Sequence, residues 1–367
     1  MNAAQRVPVR AAGPTELAEY PFRHRFCVAP MLDLTDRHER FFLRLLTRQA
    51  LLYTEMVSSG ALLHGDRGHL LAYDPKEQPL ALQLGGSDPE QMARCARLGE
   101  QAGYCEININ VGCPSERVQA GRFGACLMAE PQRVATCYLA MQAAVSVPVT
   151  VKCRIGIDNH DRYQDLARFV TVVAAAGCRV FIVHARKAWL AGLSPRQNRE
   201  VPPLRYDTVY RLKQEQPQLT VVINGGITSL DQVQEHLAEL DGVMVGREAY
   251  RNPFKLATVD SRFFGATDRA LSRKQVLEQY QRYIAEQLAQ GVPLKAMSRH
   301  ILGLFQGQPG ARVWRQALSE QAVRPGAGLE VIEIAYLRLC QAQAGHRTEL
   351  VGIYRNRRST SNKHDEY

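Results

Sequence analysis

Eight short apolar runs, spread between residues 26 and 248, constrain this chain more than any other feature. They are FCVAPM (26–31), LLYTEM (51–56), PLALQLG (79–85), YCEININV (104–111), PVTVKCR (148–154), VFIVHAR (180–186), TVVINGG (220–226) and GVMVGRE (242–248). A polar or glycine-rich junction follows each run. Stretches with helical periodicity fall between most pairs, at 36–48, 88–102, 130–145, 161–176, 206–215 and 229–239, several opened by Asp or Ser near the first turn. Eight strands alternating with helices predict a (β/α)8 TIM barrel, here over residues 25–262, with a doubly wound open sheet as the alternative. The junction SSGALLHGDRGHLLAYD after the second run is the least regular.

In such a barrel the reactive face lies at the C-terminal ends of the strands. Those ends here are Ala29-Pro30-Met31, Glu55-Met56, Gln83, Asn108 and Asn110, Lys152 and Arg154, His184 and Arg186, Asn224-Gly225-Gly226, and Gly246-Arg247. The fourth run stands out. Side chains alternate along a strand, so Ile107, Ile109 and Val111 share one face while Glu106, Asn108 and Asn110 share the other. Three polar positions facing inward are costly in a core and mark the lining of a site. Cys113 follows, with Gly112 and Pro114 fixing the backbone around it. The connection 114–128 contains Gly121 and Gly124, which would let it swing Cys113 over a substrate as a lid.

Asn224-Gly225-Gly226 after the seventh strand and Gly246-Arg247 after the eighth stand where these barrels hold phosphate, since glycine admits backbone N–H groups and Arg adds a charged fork. No G-x-G-x-x-G or G-x-x-x-x-G-K-[ST] occurs, which disfavours a Rossmann dinucleotide or a P-loop nucleotide. A phosphate-bearing mononucleotide remains. If it is FMN, Lys152 can stabilise the anionic reduced ring, and Gln83 has the amide to read a carbonyl and N–H edge.

The nine cysteines include no C-x-x-C pair and no Cys/His cluster at metal-ligand spacing, so no metal and no disulfide framework is expected. No apolar run reaches membrane-spanning length and residues 1–25 lack the apolar core of a secretory signal, which points to a cytoplasmic protein. Charge is unevenly placed. Of a net +10, residues 268–367 hold 15 Lys/Arg against 9 Asp/Glu, a balance of +6, as expected of a segment that meets a polyanion. Helical periodicity recurs there at 273–290, 295–306 and 329–343, and GQPGARVWRQAL (307–318) follows a Gly/Pro break. Arg312 and Arg315 share one helical face beside Trp314, which is expected in the core.

The segments APMLDLTDRH (29–38), LLYTEMV (51–57), ALQLGGSDP (81–89), EININVGCPSERVQAGRFGACLM (106–128), PVTVKCRIGID (148–158), VHARKAWLAGLSPRQNREVPPL (183–204), INGGI (223–227) and DGVMVGREAYRNP (241–253) resemble the tRNA-dihydrouridine synthases, in particular the bacterial A-type enzymes. The likeness covers residues 25 to 345. It implies an FMN-containing barrel followed by a helical tRNA-binding domain (268–345), which reduces D-loop uridines 20 and 20a of tRNA with NADPH as electron donor. Carried across by position, the family's general acid matches Cys113, and its flavin contacts match Pro30, Met31, Gln83, Lys152, His184, Asn224, Gly225, Gly226, Gly246 and Arg247. Its tRNA contacts match Asn110, Arg196, Arg199, Arg312 and Arg315. Residues 1–24 and the basic tail 346–367 extend beyond the pattern and are expected to be disordered. A monomer is expected. The competing readings are a reductase of a small pyrimidine in the manner of dihydroorotate dehydrogenases, a catalytically silent tRNA-binding chaperone, and an aldolase using Lys152 as a Schiff-base nucleophile.

Overall fold

The computed structural model describes residues 24–268 and 270–361. Nine parallel strands form one sheet: β1 (Phe26–Val28), β2 (Leu51–Tyr53), β3 (Val57–Ser58), β4 (Leu80–Gly85), β5 (Glu106–Val111), β6 (Val149–Arg154), β7 (Val180–His184), β8 (Thr220–Asn224) and β9 (Gly242–Val245). The order β2-β1-β9-β8-β7-β6-β5-β4 is closed by a β2–β4 pairing, which makes an eight-stranded barrel, and β3 adds to the edge of β4. Strands buried on both faces are mostly apolar, with polar positions only where hydrogen-bond partners meet them, which is why each appears in the sequence as a short apolar run. The run 51–56 is the exception in detail. Its strand ends at Tyr53, and the chain resumes pairing with β4 only at Val57.

Helices cover the barrel, and their starts carry the caps the sequence supplies. Asp36 accepts from the backbone N–H groups of His38 and Glu39 ahead of α1 (Arg37–Leu46), and Asp88 from that of Gln91 in α2 (Pro89–Gln101). Further helices span Pro131–Gln142, Tyr163–Ala175, Tyr206–Glu215 and Leu230–His236, close to the expected segments. Inside, an apolar layer of Cys27, Leu51, Tyr53, Ala81, Val180, Ile182, Val222 and Met244 fills the barrel.

Strand register decides which polar residues meet. Gln83 lies level with Asn108, Asn110 with Lys152, Arg154 with His184, His184 with Asn224, and Asn224 with Met244. Residues far apart in sequence therefore form one belt at the C-terminal ends of the strands.

Residues 249–257 group by contact with the chain from 270 onward, while 258–268 group with the barrel. The reason is local packing: Gly303 lies so close to the Arg251 carbonyl that a Cβ would come within 2.4 Å of its oxygen, and Arg273 stacks 4.0 Å from the Phe254 ring centre. In this second unit a capping box of Ser272 and Gln275 starts Arg273–Ala289, which buries Val276, Leu277, Tyr280, Tyr283 and Ile284. Trp314, on the helix Ala311–Gln321, is fully buried and donates from Nε1 to Ile301 O at 2.9 Å. The last helix runs Leu329–Ser361, through residue 345 and into the segment read as a disordered tail. Residues 1–23 and 362–367 lie outside the described residues. Among the described residues no helix is long and apolar enough to cross a membrane.

Candidate functional site

The inward polar face of β5 is one end of a hydrogen-bonded ladder through the barrel interior. At the N-terminal end of the strands, Glu106 accepts from Tyr53 OH at 2.7 Å and Thr150 Oγ1 at 2.6 Å on one oxygen, and from His24 Nε2 at 2.7 Å on the other. Burial pushes the Glu106 carboxyl up, but the His24 charge and the three donors outweigh it and hold the group below the usual carboxylate range. Because Thr150 donates downward, it accepts Asn108 Nδ2 at 2.8 Å, and Asn108 Oδ1 then accepts Gln83 Nε2 at 2.8 Å. Gln83 Oε1 accepts Asn110 Nδ2 at 2.7 Å, and Asn110 Oδ1 accepts the backbone N–H groups of Gly112 at 3.0 Å and Cys113 at 2.9 Å. Each amide of the ladder thus donates to one neighbour and accepts from another.

The ladder ends by fixing the turn that carries Cys113. The Cys113 carbonyl accepts Ala125 N at 2.9 Å, and Gly124 sits at φ +79° with a would-be Cβ 2.5 Å from that same oxygen. Glycine at 124 is thus required for close packing under Cys113 as well as for its left-handed backbone. The connection 114–128 also has structure of its own. Its residues form a helix (Glu116–Ala120) and a 3-10 turn (Gly124–Ala129), and Gln119 fastens it to the carbonyls of Pro114 and Leu190. The thiol itself is half-buried, with its sulfur 3.6 Å from Ser115 Oγ.

Across the barrel mouth the lining turns cationic. Lys152 Nζ donates to Asn224 Oδ1 at 3.1 Å, and Asn224 Nδ2 donates to Met244 O at 2.8 Å, which fixes the amide with its oxygen toward the lysine. Burial, assisted by the charge of Arg154, pushes the Lys152 ammonium down to about 8. Burial and then the charges of Arg154, Lys152, Arg186 and Arg199 push His184 well below its ordinary range, so its imidazole is neutral at pH 7. His184 packs on the Asn-Gly-Gly turn: Gly225 and Gly226 have φ +120° and +70°, and a Cβ at Gly225 would stand 2.6 Å from His184 Cδ2. Tyr206 OH donates to Gly225 O at 2.7 Å. Next to this turn Arg247 pairs with Glu200 at 2.6 Å and donates to Arg199 O at 3.4 Å, while Arg196 lies 3.7 Å from the same Glu200. Arg186 donates to the carbonyls of Pro202 and Glu200, yet its enclosed Nε has no hydrogen-bond partner. Pro30 and Met31 stand half-buried past β1, and a would-be Cβ at Gly246 would make ordinary contacts with Ala29 Cβ at 3.6 Å and Met31 Sδ at 3.7 Å.

The barrel therefore brings Pro30, Met31, Gln83, Asn110, Cys113, Lys152, His184, Asn224, Gly225, Gly226, Gly246 and Arg247 to one mouth, with Arg196 and Arg199 on the loop after β7. Arg312 and Arg315 belong to the other unit, where Arg312 is exposed and Arg315 donates to Gln306 Oε1 at 2.8 Å. Sequence reasoning does not single out Glu200, Gln119 or Thr150, and it reads Arg154 as one more strand-end cation. In the structure Arg154 is 3% exposed and donates to the carbonyls of Gly112, Lys187 and Asn198 at 2.9, 2.9 and 3.1 Å.

Comparison with known proteins identifies the family. The family described as dihydrouridine synthase matches residues 27–341. A tRNA-dihydrouridine(20/20a) synthase of Shewanella oneidensis is 60% identical over 311 residues, covering 85% of this chain and 92% of the relative. Proteins of the same name are 57% identical in Vibrio parahaemolyticus, over 86% of this chain and 97% of the relative, and in Synechocystis, over 84% and 92%.

Proposed function

Because the chain belongs to the dihydrouridine synthase family, we propose that it reduces the C5–C6 double bond of D-loop uridines 20 and 20a in tRNA, with FMN as resident cofactor and NADPH as donor. The observation that carries this reading is a half-buried thiol on a hydrogen-bonded turn, set between a neutral amide ladder and a cationic, glycine-lined cradle.

The residues suit FMN. The backbone of Gly225 and Gly226, Gly246 and the guanidinium of Arg247 would hold the phosphate, and the buried Arg186 Nε has no hydrogen-bond partner in the protein. Gln83 has one N–H and one lone pair uncommitted, which matches a carbonyl and N–H edge of the ring, and Lys152 would oppose negative charge on its pyrimidine side. Pro30, Met31, His184 and Asn224 complete the lining. When bound and reduced by NADPH, FMN would supply the hydride to uracil C6.

The chain's own part is recognition and protonation. Asn110 has both oxygen lone pairs occupied by backbone N–H groups and one amide hydrogen given to Gln83, so it can only donate to a ligand. That suits a uracil carbonyl and repels the amino group of cytosine. The base must leave its stack to reach this depth, and Arg196, Arg199, Arg312 and Arg315 would hold the RNA while it does. Cys113 then gives its proton to C5, which closes the reduction with one hydride and one proton added across the double bond. The tRNA reading also accounts for the basic segment 268–367, which a small-pyrimidine reductase would leave without a role.

Purified protein is expected to be yellow, and to form dihydrouridine at positions 20 and 20a of unmodified tRNA when given NADPH. A colourless protein that takes up no added FMN ends the flavin reading. A flavoprotein that reduces free pyrimidines but not tRNA ends the tRNA reading.

A further inference from the structure

Two loops that meet at the mouth are fastened to each other by side chains with no place in the chemistry above. The first is the turn of Cys113. The second, residues 187–200, carries Arg196 and Arg199. It is built around Asn198, which is fully buried, accepts Trp189 N at 2.8 Å, and donates to Trp189 O at 2.9 Å and Leu193 O at 3.1 Å. Asp158 Oδ1 holds Leu190 N at 2.8 Å.

Arg154 joins the two. Its Nε holds the Gly112 carbonyl, one residue before the thiol, and its Nη1 holds the carbonyls of Lys187 and Asn198. Among the described residues no carboxylate lies within ion-pair distance of this guanidinium. Burying a cation without a counter-charge is expensive, and a leucine or methionine would fill the space at lower cost. What the guanidinium supplies is three N–H vectors in one plane, aimed at two chain segments. Gln119 repeats the arrangement on the outer side, where its Nε2 divides between Pro114 O at 2.8 Å and Leu190 O at 2.7 Å. Both ties run from within two residues of Cys113 to the same loop.

We propose that Arg154 and Gln119 are positioning residues that lock the Cys113 turn to the 187–200 loop, so that RNA gripped by Arg196 and Arg199 brings the target base and the thiol into register as one body. The coupling rests on the tRNA reading above; the lock itself does not. Burial, relieved in part by the nearby Cys113 and deepened by Arg199 and Arg186, pushes Arg154 down to about 10, so it remains charged in the working range.

The test uses the full-length protein with Gln119→Ala, which removes a half-buried side chain, and Arg154→Lys, which keeps the charge and loses the fork. Flavin reduction by NADPH and tRNA affinity should stay within about twofold, whereas reoxidation of the reduced flavin at saturating tRNA should slow by about 10-fold in Gln119→Ala and about 10²-fold in Arg154→Lys, the cost of misplacing a reacting group by about 1 Å. A merely structural role would lower the melting temperature without splitting the two half-reactions. An unchanged reoxidation rate in both variants overturns the proposal. Alkylation of Cys113 by iodoacetamide in RNA-free protein, read by peptide mass spectrometry, addresses the lock separately. It should accelerate by about 5- to 10-fold in Gln119→Ala, as loss of one or two neutral hydrogen bonds allows. Unchanged alkylation overturns the lock, and accelerated alkylation in a protein inert toward tRNA would retain the lock and remove the function.

Discussion

The two sides of the barrel mouth solve opposite problems. On the β4–β5 side, Gln83, Asn108, Asn110, Thr150 and Glu106 satisfy one another link by link, and each amide has its orientation dictated by its neighbour. On the β6–β9 side, the charges of Arg154, Lys152, Arg186 and Arg199 all bear on His184, Arg186 and Arg247 bear on each other, and the partly exposed Glu200 pairs with Arg247. A saturated network is rigid before any ligand arrives, and gains from one only through the few hydrogens and lone pairs left over. An undersatisfied cationic cluster carries its cost in the free protein and recovers it when an anion binds. The amide side is built to read a heterocycle edge, and the cation side to require a negative charge. Cys113 hangs at the junction, its N–H held by Asn110 and its preceding carbonyl by Arg154.

The largest effect should come from that junction. Cys113→Ala should leave FMN content, tRNA affinity and flavin reduction by NADPH within about twofold, and slow reoxidation by tRNA by about 10²–10⁴-fold, the range of a lost general acid. Rapid-mixing absorbance of the two half-reactions measures this, and near-normal reoxidation would remove Cys113 from the mechanism.

The next effect separates the two sides directly. Arg247→Ala removes one charge from an overcharged cluster, so apo-protein stability should hold while FMN affinity falls by about 10- to 100-fold, the value of a charge-assisted phosphate contact. Gln83→Ala should do the reverse in part. It strands Asn108 Oδ1 and Asn110 Nδ2 in the interior and should cost about 1–3 kcal/mol of apo-protein stability along with cofactor affinity. Thermal melts and flavin fluorescence titrations of both variants test the contrast, and equal destabilisation by the two would erase it.

Charges outside the barrel should behave differently again. Arg312 is exposed and Arg315 donates to Gln306. Neutralising both should leave flavin content and NADPH oxidation intact, weaken tRNA binding, and reduce the slope of log K against log salt by about 0.7–0.9 per lost phosphate contact. Unchanged affinity and slope would mean that tRNA docks elsewhere.

What the sequence reveals, and what it conceals, follows the same division. The eight strands are legible because a strand covered on both faces is apolar at most of its positions. The inward alternation of Glu106, Asn108 and Asn110 is legible because period two is a property of one strand. Arg154 is not, since its partners Gly112 and Asn198 lie 42 and 44 residues away and only the closed barrel brings them to it. Gln119 reaches Leu190 across 71 residues for the same reason. Gly124 is legible as a special position, but its close contact under Cys113 is not, because that needs the folded turn. Beyond residue 345 the basic composition argues for disorder, while a helix already under way gains a hydrogen bond with each added residue, and the described helix continues to Ser361.

The smallest expected effect is the most specific to the cation side, because stability and function should move in opposite directions. Lys152 has its pKa depressed from 10.5 to about 8 in the folded protein. A lysine with a depressed folded pKa opposes folding when charged, so its penalty is fully present below pH 8 and is relieved as pH rises from about 8 toward 10.5. Lys152→Met keeps the volume and removes the charge, and should raise apo-protein stability at pH 7 by about 1–2 kcal/mol, an advantage that fades at high pH. The same change should weaken FMN binding. In the unmodified protein, affinity should be level below pH 7 and decline as Lys152 loses its proton through pH 8, and the variant should lack that step. Denaturant melts and flavin titrations between pH 6 and 10 read both. A variant that is less stable at pH 7 would show that Lys152 is a structural partner of Asn224, and not a charge held at a cost for an incoming anion.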